Sequence, residues 1–114
     1  KEPLNTVQMS DSTVRAVKEG MHNLTTGSLS YYFSKCVVSA GAKTGTAETG
    51  INNTNNGVFV CFAPYDDPQI AVAVVIEKGG SGAALASTAV DIVNSYFSQE
   101  EIGAVIIGEN TLLK

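Results

Sequence analysis

The chain has 114 residues, 44% of them hydrophobic, and a formal net charge of −4. That length and apolar content suit a single domain, or a piece of one, with a modest core. The seven Lys and Arg residues are scattered, which excludes the basic stripe that a nucleic-acid surface needs to neutralise phosphates, and no apolar run reaches the length of a membrane span.

In chain order, residues 10–22 predict a first helix. Ser10 or Asp11 can cap it, Val14, Val17 and Met21 recur at helical spacing, and Gly20 with the polar residues beyond it predicts the end. Residues 23–34, rich in Thr, Ser, Gly and Tyr, predict a loop. Three strands follow, over 35–48, 57–63 and 69–77. An Asn/Gly-rich turn joins the first two and PYDDP joins the second to the third. Links this short make the neighbours antiparallel, so the expected fold class is α+β: an antiparallel sheet of at least three strands with helices packed on it. The second and third strands are apolar at every position, the pattern of strands covered on both faces. One cover is a helix over 83–97, capped by Ser81, with Leu85, Ala89, Ile92, Val93 and Tyr96 as its stripe. Ser98 and Glu101 stand at capping-box spacing and predict a separate short helix over 99–107, with an edge strand through 105–107 as the alternative. The helix over 10–22 is short for covering the second sheet face, which leaves an apolar surface needing a partner.

Cys36 and Cys61 predict two small buried thiols, because hairpin pairing places Cys36 well up the strand from the residue opposite Cys61. With one His and no Cys-x-x-Cys, neither a metal site nor a cofactor is expected. His22 is assigned to a helix end in a solvated or helix-terminus role. Asp66 and Asp67 are turn residues, and Tyr31 and Tyr32 belong to a loop packed on the core.

The chemistry-bearing stretch is AGAKTGTAETG at 40–50. A lone Lys-Thr-Gly is a weak signal, since an edge-strand lysine also serves to discourage aggregation. Its setting is more informative: it lies on a predicted strand, continues as KTGTAE, and is followed by a turn and an apolar strand ending in Ala63-Pro64. Gly45 removes a side chain so that a ligand backbone can lie along the strand edge. The N–H of Thr46 can then face a developing oxyanion. Hydroxyls of Thr44 and Thr46 can donate to a carboxylate, with Lys43 adding positive potential nearby.

KTGTAE at 43–48 resembles the third motif of the penicillin-binding transpeptidases and serine β-lactamases. GM at 20–21, AGAKTGTAE at 40–48, NNGVFVCFAPYDDPQIAVAVVIE at 55–77 and the GGSG-led helix narrow the likeness to the C-terminal part of a class B penicillin-binding protein. The family commonly has Gly directly before the motif lysine, where this chain has Ala42. The resemblance implies a D,D-transpeptidase that cross-links peptidoglycan stem peptides through a serine acyl-enzyme and binds β-lactams, anchored in the bacterial cell membrane with its catalytic domain outside. It implies Lys43 and Thr46 as catalytic residues and Thr44, Gly45 and Thr46 as substrate-binding residues. A β-lactam sensor, a β-lactamase or a non-catalytic peptide-binding scaffold is the alternative.

The family's nucleophile lies in S-x-x-K and a proton-transfer group in S-x-N. No serine in this chain has Lys three places on or Asn two places on. Residues 1–114 are therefore expected to be one part of a transpeptidase domain, opening at Lys1 as a processed product or excised segment. Its first partner would be the upstream half of the same domain, and by itself the segment would be inactive.

Overall fold

A computed structural model of the chain describes residues 1–51 and 54–108. Helix α1 (Asp11–Thr26) is capped by the Ser10 hydroxyl, which accepts from Thr13 N at 3.2 Å. It runs through Gly20 and ends at Thr26, four residues beyond the predicted range, with Gly27 as its C-cap. One internal glycine costs about 1 kcal/mol, which packing of Met21, Leu24 and Thr25 outweighs. Part of the predicted loop is the short helix α2 (Ser30–Phe33).

The strands are β1 (Gly41–Ala47), β2 (Asn56–Ala63) and β3 (Ile70–Ile76), antiparallel in the order β1-β2-β3. The α+β class is as expected, but β1 starts six residues later than the sequence pattern suggests. Residues 35–37 are held instead by Asn94, whose amide accepts from Val37 N and donates to Lys35 O, both at 2.9 Å. The central asparagines of the first turn, Asn52 and Asn53, lie outside the described residues; beside them, Gly50 takes the positive φ (74°) that such a turn requires.

After Ser81, which accepts from Ala83 N, a 3₁₀ turn (Gly82–Leu85) leads into α3 (Ala86–Gly108). The predicted separate helix over 99–107 is absent: the chain stays helical through residue 98, so Ser98 caps nothing, and 105–107 are helix rather than strand. Leu85, Ala86, Ala89, Val90 and Val93 are buried, whereas Ile92, assigned to the buried stripe, faces outward.

Strand alternation sorts the sheet into two faces. Ala42, Phe59, Cys61, Ala63 and Val72 are buried in one core with Leu85, Ala89 and Val93. Val58, Val60, Ala71, Ala73 and Val75 belong to the opposite face, where Val60 and Val75 are 36% and 61% exposed. Among the described residues the expectation of strands covered on both faces is thus met in full on one face only, since on the other α1 reaches just Phe62. Both thiols are free, with Cys61 buried and Cys36 packed partly against the same core.

Candidate functional site

Lys43, Thr44, Gly45 and Thr46 all lie on β1, the terminal strand of the sheet, opposite Val60, Phe59, Val58 and Gly57. Alternation sends Lys43 and Gly45 to the exposed face and Thr44 and Thr46 to the core side. The two groups of side chains therefore do not share a face. They share the outer edge of β1, where an extended ligand could be reached from both sides of the strand. Thr44 is half-buried, while Lys43 and Thr46 are exposed. Lys43 Nζ donates to Thr44 O at 2.7 Å, which occupies one of its three hydrogens and leaves the cation at the edge.

Three features position this strand. Beneath it, the 3₁₀ turn lies so close that a Cβ at Gly82 would collide with the carbonyl oxygens of Gly45 and Val58. On the other side, a Cβ at Gly41 would meet the Phe62 ring and come within 3.2 Å of the Met21 side chain, so glycine there lets α1 approach the sheet. Between α1 and β1 lies a groove of about 420 Å³, lined by Val17, Gly20, Met21 and Leu24 on one side and by Lys43 and Thr44 on the other.

The third feature was not foreseen. His22, predicted at a helix end, lies within α1 with its ring stacked on Tyr65 at 4.2 Å and Nδ1 2.9 Å from Ala40 O. The same carbonyl accepts from the buried Thr25 hydroxyl at 2.7 Å. A Thr three residues after a His on one helix face was the available signal, but nothing local tells which carbonyl the pair meets. Burial pushes the Cys61 thiol up to about 11, with the nearby Cys36 adding to the effect, and raises Cys36 as well, so neither is an activated nucleophile. Among the described residues no group of three or more His, Cys, Asp or Glu could hold a metal ion, and no helix is long and apolar enough to cross a membrane.

Residues 1–96 match the family described as the penicillin-binding protein transpeptidase domain. Penicillin-binding protein 2B of Streptococcus pneumoniae is 37% identical over 108 residues, which cover 82% of this chain and 15% of the relative. The peptidoglycan D,D-transpeptidase MrdA of Escherichia coli is 35% identical over 85 residues, covering 60% of this chain and 13% of the relative. The solved structure of the pneumococcal 2B protein superposes with a TM-score of 0.72 at 33% identity, over 84% of this chain and 17% of that one. The chain therefore spans a small fraction of the length of the proteins it matches, and over that span it belongs to the penicillin-binding protein transpeptidase domain family.

Proposed function

We propose that this chain supplies the substrate-binding strand of a serine D,D-transpeptidase that cross-links peptidoglycan and is acylated by β-lactams. The observation that carries the reading is the placement of K-T-G-T on an open edge strand in a chain of this family. The serine of S-x-x-K, on a segment upstream, attacks the carbonyl of a D-Ala-D-Ala stem peptide. An ester forms, the terminal D-Ala leaves, and an acceptor amine later takes the acyl group. The substrate backbone lies along β1, where Gly45 leaves room for it. Thr46 N–H donates to the oxyanion, the Thr44 and Thr46 hydroxyls face the carboxylate, and Lys43 stabilises the developing negative charge from the edge. Because Thr44 is half-buried and Thr46 exposed, Thr46 carries more of the carboxylate recognition. The complete protein is membrane-anchored with this domain on the extracytoplasmic side, and it uses no cofactor.

Labelled penicillin tests this. In the complete protein that carries these residues, Lys43→Ala is expected to slow acylation by about 100- to 1000-fold, the scale of losing one transition-state electrostatic partner. The 114-residue chain alone is expected to form no covalent adduct by mass spectrometry. Unchanged acylation in Lys43→Ala would overturn the role of β1. A stoichiometric adduct on the isolated chain would show that the nucleophile lies within residues 1–114.

A further inference from the structure

We propose that His22 and Thr25 are positioning residues for the reactive strand, acting through the Ala40 carbonyl. This inference rests on reading β1 as the substrate strand. Among the described residues β1 is paired with β2 alone, so contacts outside the ladder must fix its angle to that partner. Ala40 directly precedes the strand and is 3% exposed, and two side chains of α1 converge on its carbonyl. Thr25, itself 4% exposed, lies 2.7 Å from that oxygen and 2.8 Å from His22 O, so its single hydrogen is shared between them. His22 Nδ1 lies 2.9 Å away and, because a carbonyl only accepts, must carry its hydrogen. Both the neutral Nδ1–H tautomer and the imidazolium meet that requirement.

The contacts close into a ring. Tyr65 N donates to Ser39 O at 2.9 Å, tying the residue before Ala40 to the start of the turn after β2. The Tyr65 ring in turn stacks on His22 at an interplanar angle of 20°. The start of β1 is thus held from α1 and from the β2–β3 turn together. Lys43 lies three residues on, about 10 Å along the strand. A small pivot at Ala40 shifts the Lys43 ammonium and Thr46 N–H relative to whatever lies along the edge, and misplacement by about 1 Å is enough to cost about 100-fold in rate.

The test uses the complete protein. His22→Phe keeps the ring on Tyr65 and removes the donor; Thr25→Val keeps the shape and removes the hydroxyl. His22→Asn and Thr25→Ser retain a donor at the matching place. The His22→Phe/Thr25→Val pair is expected to lower the rate of acylation by labelled penicillin between about 10- and 100-fold at saturating penicillin, with the half-saturating concentration little changed. Amide exchange at Ala42 to Thr46 is expected to speed up while that of α3 and β3 stays as before. The Asn/Ser pair should restore both readouts. If the double variant fails to fold, Thr25→Val alone is expected to shift both readouts in the same direction. Wild-type acylation, or exchange that rises evenly across the core, overturns the proposal. Lys43→Ala run alongside separates the two readings. If it leaves acylation intact, the substrate-strand reading falls and takes this one with it; if it abolishes acylation while the clamp variants do nothing, the clamp proposal alone falls.

Discussion

Cys61 shows how a single side chain carries a consequence of the packing. It is on β2 with Ala42 on one side and Val72 on the other, and burial raises its thiol from the ordinary 9.0 to about 11, with Cys36 contributing secondarily. As pH climbs from about 9 to about 11, the unfolded chain gives up this proton while the folded chain keeps it, so stability falls across that window. Wild type should therefore lose more stability between pH 8 and 10.5 than Cys61→Ala, measured as the change in urea midpoint. Parallel pH profiles in the two proteins would sink this. Lys43 teaches a different lesson. Its identity was readable as a motif, but its separation from Thr44 and Thr46 across the two faces follows from the two-residue period of β1.

Elements were legible where a local rule dominates. Ser10 and Ser81 cap where expected, and the PYDDP and Asn/Gly links bring consecutive strands together as antiparallel neighbours. They were misread where a distant partner decides. Gly20 does not end α1, because the helix continues to Leu24 and Thr25 and packs them. Residues 35–37 satisfy backbone groups on Asn94 of α3, nearly sixty positions away, instead of extending β1. The β2–α3 contact carries the core, since Phe59 and Val93 are the largest fully buried side chains. Phe59→Ala should cost about 3–5 kcal/mol in chemical denaturation of the protein. A cost below about 1 kcal/mol would mean that this layer is not the core.

At the scale of the whole molecule, the described residues form a sheet fully covered on one face, while on the other α1 reaches only Gly41 and Phe62. The exposed face carries Val60 and Val75, with Ala71 and Ala73 beside them. Apolar area of this kind drives association in water. The isolated chain is therefore expected to self-associate with rising concentration in sedimentation, and Val60→Thr with Val75→Thr should reduce this without changing the circular dichroism spectrum. A monomer at all concentrations would show that the face is not adhesive.

The amino-acid sequence by itself determined the fold class, the order of the three strands, the family and the position of the K-T-G strand. Each depends on local pattern: side-chain period, turn chemistry, capping and a short motif, all legible within a few residues. Only the tertiary structure decided that α1 runs on to Thr26, that α3 is one helix, that Val60 and Val75 on one sheet face stay exposed and that His22 and Thr25 meet the Ala40 carbonyl. Those outcomes depend on which distant groups come within hydrogen-bond reach or can be buried together. That is settled by the packing of α1 and α3 against the sheet, and no stretch of sequence contains it.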